Sequence, residues 1–205
     1  MGHWPNLTRE KKYCTAGCCR IVGLDEAGRG PLAGPVVAAA AWLPAGFRNF
    51  GIKDSKLLSE AERERLFALF GKSGIVFSVA IVNHRDIDRI NIYEASQLAM
   101  RKAVKRLPFE PDMLLVDGMK LKGVSTAQER IVKGDRKVLS IAAASIAAKV
   151  TRDRIMRRIH EALPQYGFAK HKGYPTAEHV RLLKKHGVSY FHRRTFGPVR
   201  KIVEG

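Results

Sequence analysis

Apolar residues along the chain come in short runs punctuated by glycine and proline, and their period switches between that of strands and that of helices. Arg20–Asp25 reads as a strand ending on a carboxylate. The small and β-branched run Val36–Leu43, bounded by Pro35 and Pro44, predicts a second, central strand. Ser59 opens a helix to about Phe70, with Glu62 placed three residues on to complete a capping box. Ile75–Val82 predicts a third strand. A short helix near Arg85–Ile90 follows, then a longer one over Tyr93–Arg106, stopped before Pro108. Met113–Val116 is a fourth strand ending at Asp117-Gly118, and Glu129–Val132 a short fifth. Lys137–His160 reads as a long helix whose small-residue face includes Ile141, Ala142, Ser145, Ile146 and Lys149; a further helix, Thr176–His186, closes on Gly187. Strands that alternate with helices after an early all-strand stretch predict an α/β fold with a mixed sheet. The expected organisation is a flexible leader over 1–19, a core over 20–160 and a helical C-terminal extension over 161–205.

Charge narrows the partner. The 205 residues carry 37 Lys and Arg against 19 Asp and Glu, a formal net charge of +18, while 45% hydrophobic content marks a folding chain. Residues 150–205 alone carry +9, and their cations are interleaved with Tyr166, Phe168, Tyr174, Tyr190, Phe191 and Phe196. Cations that neutralise phosphates, next to rings that stack on bases or sugars, form a nucleic-acid footprint. The longest apolar run, Pro35–Leu43, is too short to span a membrane. The polar first twenty residues do not read as a signal peptide, and Asn6 breaks the myristoylation pattern. Cys14, Cys18 and Cys19 form an odd, local group, neither a disulfide framework nor a zinc site. A cytoplasmic protein with a polyanionic partner is expected.

Two glycine motifs fail on context. Gly28-Arg-Gly-Pro-Leu-Ala33 matches a dinucleotide fingerprint, but Pro31 and Pro35 forbid the helix it needs. Gly71-Lys72-Ser73 lacks the upstream glycine of a phosphate loop.

In so basic a chain, the acids at strand ends stand out. Asp25 and Glu26 end the first strand, Asp117 ends the fourth, and Asp135 precedes the long helix. Separately, Asp117-Gly118 also reads as a turn and Asp135 as a helix cap, while adjacent Asp25 and Glu26 would point to opposite faces unless the chain bends, as the following glycines permit. Together at one sheet edge they would repel and take up protons unless divalent cations were bound, and hard oxygen donors suit magnesium or manganese. Two such ions are suited to phosphodiester hydrolysis.

At Gly23-Leu-Asp-Glu-Ala-Gly-Arg-Gly-Pro-Leu-Ala-Gly-Pro35 the chain resembles the bacterial ribonuclease HII family. The likeness continues, in the family's order, through Asp54-Ser-Lys56, Val116-Asp-Gly118, Lys133-Gly-Asp135, Ala142–Val150, His171–Thr176 and His192–Val199. The resemblance implies an RNase H-like fold and an endonuclease that uses two Mn2+ or Mg2+ ions. It would cut RNA in RNA/DNA hybrids and also on the 5′ side of single ribonucleotides in duplex DNA, leaving 3′-hydroxyl and 5′-phosphate ends. Such an enzyme would act in ribonucleotide excision repair and RNA primer removal, and as a monomer. By the same likeness, the metal-binding acids fall on Asp25, Glu26, Asp117 and Asp135. The ribose-sensing segment falls on Gly28, Arg29 and Gly30, and the junction-sensing tyrosine on Tyr174. Ser55, Lys56, His171 and Lys172 are further expected substrate contacts. Arg136 departs from the family pattern, where a small residue is common.

Overall fold

The computed structural model describes residues 4–205; Met1–His3, including the Met1-Gly2 pair, lie outside the described residues. The elements, in chain order, are α1 (Thr8–Thr15), β1 (Ile21–Ala27), β2 (Val36–Trp42), α2 (Glu60–Leu69), β3 (Val76–Val82) and α3 (His84–Lys105). They continue as β4 (Met113–Asp117), β5 (Ala127–Ile131), α4 (Leu139–Ala162), α5 (Phe168–His171), α6 (Ala177–His186) and α7 (Gly197–Val203). Short 3-10 turns at Ser55–Leu57 and Gly134–Arg136 carry residues that matter below.

The strands form one mixed sheet in the order β3-β2-β1-β4-β5. The β1–β2 and β2–β3 pairs are antiparallel, and the β1–β4 and β4–β5 pairs are parallel. Strand β2 is internal as expected, but β1 holds the middle of the sheet. Both faces of β2 are covered, which is why it reads as an unbroken apolar run rather than an alternating one. Val36, Ala38 and Ala40 pack toward Ala95, Ala99 and Met100 of α3. Val37, Ala39 and Ala41 pack with Leu66 of α2 and with Ala142, Ala143 and Ile146 of α4. Small side chains let α4 come unusually close. At Gly23 of β1, a Cβ would lie 2.2 Å from the Ser140 carbonyl carbon, so only glycine permits this crossing.

Local signals act where the pattern placed them. Ser59 and Glu62 form both halves of the capping box on α2. The two helices expected over 85–106 are joined at Asn91, whose φ of 64° breaks the helix. Its Oδ1 then accepts from Tyr93 N and Glu94 N, capping the second half.

Within the described part of the leader there is a helix. Residues 8–15 form α1, and its Glu10 is buried against the start of α4. Helix α4 has no side-chain cap of its own; instead Glu10 Oε1 accepts from Ser140 N at 2.9 Å, across 130 residues of chain. Next to it, Leu139 N donates to Asn6 O at 3.0 Å. An acidic side chain meets the positive end of α4 here, which no local motif announces.

Helices α5 and α7 were not anticipated. With α6 they gather around the loop between β1 and β2: Leu32 N donates to Gly173 O and Gly34 N to Phe191 O. Among the described residues, no helix is long and apolar enough to cross a membrane.

Candidate active site

Parallel strands β1 and β4 pair as far as Leu24 and Val116 and then part. The next residues along each strand, Asp25 and Glu26 on β1 and Asp117 on β4, line one cleft of about 240 Å³. It opens at the carboxyl ends of neighbouring strands, where open α/β sheets bind their ligands. Strand β1 runs on to Ala27, yet both adjacent acids reach the cleft, because β4 no longer borders that edge. The walls come from Ser55 and Lys56 in the first turn, Ser145 and Lys149 on α4, the segment 28–30, and Tyr174.

Asp135, unlike the other three expected acids, does not line the cleft; it is buried behind the wall. Its Oδ2 lies 2.8 Å from Lys56 Nζ, and its neighbour Gly134 donates its N–H to Asp117 Oδ1 at 2.7 Å. Asp25 Oδ1 accepts from Glu26 N at 2.7 Å. Each carboxylate thus takes a donor from the protein. Among the described residues, no three His, Cys, Asp or Glu side chains are arranged as a ready cage for an ion.

Burial, ahead of neighbouring charges, sets the protonation of the cluster. Burial, then the neighbouring charges of Glu26 and Asp117, holds the Asp25 carboxyl well above its ordinary range. Burial pushes Glu26 up to about 7; Arg29, with Nη1 3.3 Å from Glu26 Oε1, opposes the shift and Asp117 adds to it. Asp117 is also raised, chiefly by burial, against the Gly134 N–H. Glu26 Oε2 is buried with no hydrogen-bond partner. A buried carboxylate oxygen without a donor is costly unless it is protonated or meets a cation.

The 28–30 segment owes its shape to two arginines of the basic stretch 150–205, whose cations read from sequence as a nucleic-acid footprint. Arg152 and Arg193 are fully buried. Arg152 donates to the carbonyls of Ala33, Pro35 and Lys172. Arg193 donates to those of Gly28, Arg29 and Gly34. Gly28 has φ +101°, and a Cβ there would sit 2.2 Å from Arg152 Nε. Gly30 has no such neighbour: its Cβ would meet only Tyr174 Cε1, at 3.9 Å. Packing leaves room for a side chain at position 30, and Gly30 lines the cleft.

A sequence profile of the family described as Ribonuclease HII matches residues 22–199. The chain belongs to the ribonuclease HII family. It is 51% identical to the ribonuclease HII of Geobacillus thermodenitrificans over 97% of this chain and 76% of that one. It is 49% identical to that of Acholeplasma laidlawii over 97% of this chain and 98% of that one. Among solved structures it resembles the ribonuclease H2 of Pyrococcus horikoshii OT3, with TM-score 0.76 and 29% identity, over 89% of this chain and 96% of that one. The protein is therefore a type II ribonuclease H with an RNase H-like fold, an enzyme acting on the RNA of RNA/DNA hybrids.

Not every residue expected at the substrate lies in the ribonuclease HII cleft. Tyr174 does, 40% exposed, with Lys149 Nζ and Arg152 Cζ 5.8 and 5.7 Å from its ring centre. His171 and Lys172 do not. The His171 ring is buried, its Nε2 on the Tyr166 carbonyl and its Nδ1 accepting from Gly173 N. Lys172 is also buried; its ammonium donates to the Ala169 carbonyl and lies 3.2 Å from Glu60 Oε2. Both residues shape the turn that presents Tyr174 rather than facing the cleft. Arg136, the departure from the family pattern, pairs with Asp54 at 2.9 Å.

Sequence reading also passed over Ser145 and Lys149 as parts of an apolar face. The Ser145 hydroxyl meets Ser55 Oγ at 2.9 Å, and Lys149 Nζ lies 2.7 Å from Asp153. The available signal was their spacing of four: two polar residues one turn apart within a run of alanines mark a stripe that faces something polar.

Proposed function

We propose that this ribonuclease HII is a divalent-metal-dependent endonuclease that hydrolyses the phosphodiester on the 5′ side of a ribonucleotide, single ribonucleotides in duplex DNA included. The reading rests on one observation above all: Glu26 Oε2 is buried without a partner in a cleft shared with Asp25 and Asp117. Crowded, partly protonated carboxylates with an orphan oxygen fit hard divalent cations, Mn2+ or Mg2+. Held by Asp25, Glu26, Asp117 and Asp135, two such ions would supply an activated water and charge stabilisation at the leaving oxygen.

The chain's own groups do the selecting. At the 28–30 segment the lack of side chains at Gly28 and Gly30 lets backbone groups approach a 2′-hydroxyl, the feature that separates RNA from DNA. Arg29 offsets the charge of Glu26. The Tyr174 ring, which lines the cleft, would stack on the following sugar, where a second 2′-hydroxyl would be crowded. Lys56 and Lys149 bring positive charge to phosphates, and Ser55 and Ser145 present hydroxyls. On this reading the enzyme acts as a monomer, with 20–160 as core and 161–205 as the extension that shapes the substrate loop. Exposed Cys14 and Cys19 suit a reducing cytoplasm, where such an enzyme would serve ribonucleotide excision and RNA primer removal.

The decisive assay is a DNA duplex carrying one ribonucleotide, incubated with Mn2+ or Mg2+ and then with chelator. Cleavage 5′ of the ribonucleotide, lost in chelator, is the expected result. Cleavage persisting in chelator, or ends carrying a 2′,3′-cyclic phosphate, would overturn the mechanism. Asp117→Asn keeps an acceptor for Gly134 N, so the variant is expected to fold and bind while cutting slower by on the order of a hundredfold. Tyr174→Ala is expected to impair the single-ribonucleotide substrate more than a long hybrid.

A further inference from the structure

A second groove, of about 590 Å³, backs onto the carboxylate cleft. Two segments separate them, and the first contributes to both sides. In the turn at 54–57, Ser55 and Lys56 line the cleft, whereas Asp54 and Leu57 line the groove. On the other segment Asp135 meets Lys56, while Lys133, Arg136 and Lys137 line the groove. The Lys56–Asp135 contact is thus the ridge over which a strand leaving the cleft would pass.

The groove's chemistry is not that of a duplex-backbone track. Its floor is apolar, with Trp4 at 57% and Leu57 at 68% exposure, unusually open for side chains of their size. Four cations, Lys53, Lys133, Arg136 and Lys137, stand around it against one carboxylate, Asp54, which Arg136 already neutralises at 2.9 Å. Lys53 Nζ lies 5.5 Å from the Trp4 ring centre. An open indole among cations suits an unpaired base, whose face stacks on the ring while its phosphates meet the cations. Inside a duplex, base faces are covered and would have no use for it.

We propose that this groove is a subsite for single-stranded nucleic acid flanking the scissile duplex, with Trp4 as its stacking platform and Lys53, Arg136 and Lys137 as its phosphate contacts. The enzyme then favours ribonucleotides near a junction between paired and unpaired strand. This rests on the hybrid-cleaving activity alone, and neither on the metal set nor on single-ribonucleotide incision.

Binding measured in chelator, where no cutting occurs, tests it independently of those readings. The probes are a hybrid duplex with blunt ends, the same duplex with an unpaired DNA tail at either end, and one whose tail is abasic sugar-phosphate. The expected result is that one tailed duplex binds roughly tenfold tighter than the blunt one, as stacking of a base or two would give. That gain should vanish with the abasic tail and in Trp4→Ala, and persist in Trp4→Phe. A gain that survives the abasic tail or Trp4→Ala would overturn the proposal. No gain from a tail at either end would also overturn it and leave the groove to a protein partner.

Discussion

Nη2 of Arg193 donates a 2.7 Å hydrogen bond to the carbonyl oxygen of Gly28, 165 residues earlier in the chain. The same guanidinium holds the carbonyls of Arg29 and Gly34, both at 3.0 Å. No carboxylate shares these bonds: burial, then the nearby charge of Arg152, pushes Arg193 down to about 9. A buried cation solvated by backbone carbonyls is tolerable only if the loop keeps one shape. Arg193→Met would leave three carbonyls without donors, and Arg193→Lys cannot reproduce the planar fork. Both are expected to lose roughly 3 kcal/mol or more of stability, with activity falling alongside. Urea melts check this; a stable, fully active Arg193→Met would mean the loop holds its own shape.

Gly28 and Gly30 should respond differently to the same added methyl group. Gly28→Ala forces a φ of +101° on alanine and drives its Cβ into Arg152, so a loss of at least ~1–3 kcal/mol is expected. Gly30→Ala meets nothing closer than 3.9 Å and should melt as the wild type does. Its defect should appear in substrate handling, as a raised KM for ribonucleotide-containing duplex. Equal melting of the two variants, or unchanged kinetics for Gly30→Ala, would contradict the division of roles.

Glu10 ties α1 to the positive end of α4, the helix that carries Ser145 and Lys149 into the cleft. Its carboxyl is raised by burial, against the Ser140 N–H, and Oε2 has no partner. Glu10→Gln keeps an acceptor and should be close to neutral. Glu10→Ala removes the cap and is expected to cost about 1–2 kcal/mol. Hydrogen exchange at Ser140 N reads the effect directly; equal protection in both variants would deny the cap.

The pair His179 and His192 sets an acid limit on the fold. Their Nε2 atoms lie 3.1 Å apart. His179 Nδ1 must donate to the Tyr174 carbonyl at 2.9 Å, and His192 Nδ1 accepts from Ser189 N at 3.0 Å. One proton therefore sits between the rings, donated by His192 to His179. A second would oppose two N–H groups, with the His171 ring 4.3 Å from that of His179 adding repulsion. Burial, first, pushes His179 down to about 4 and His192 to about 3. Folded values below the ordinary 6.5 mean stability present above 6.5 and lost as pH falls through 4 and 3. Raised carboxyls such as Glu26 act with the opposite sign, so the test is a comparison. Stability in urea between pH 7 and 4 should fall less steeply in His192→Gln than in wild type, and parallel slopes would exclude the pair as the cause.

Most of the architecture was legible in residue spacing. The Ser59–Glu62 capping box, paired prolines and the switch between periods two and 3.6 are local, and local physics decides where a strand or helix starts. Helix α1 was missed because its eight residues are mostly polar and its anchors, Arg9 and Tyr13 on Glu129 and Glu10 on Ser140, are contacts 116 to 130 residues away. Helices α5 and α7, at four and seven residues, are too short to show a period.

The sequence by itself determined the elements, the mixed α/β sheet, the polyanionic class of partner and, through seven ordered motifs, the family. Only the tertiary structure decided which charges face the substrate. Arg152, Arg193, Lys172 and His171 read from sequence as cations or polar groups for phosphate, yet all are buried. Asp25, Glu26 and Asp117 read as three separate strand ends, yet they share one cleft. The reason is physical. Charge and spacing are properties of a residue and its near neighbours, whereas burial and convergence depend on what distant segments pack against it, and no local pattern records that.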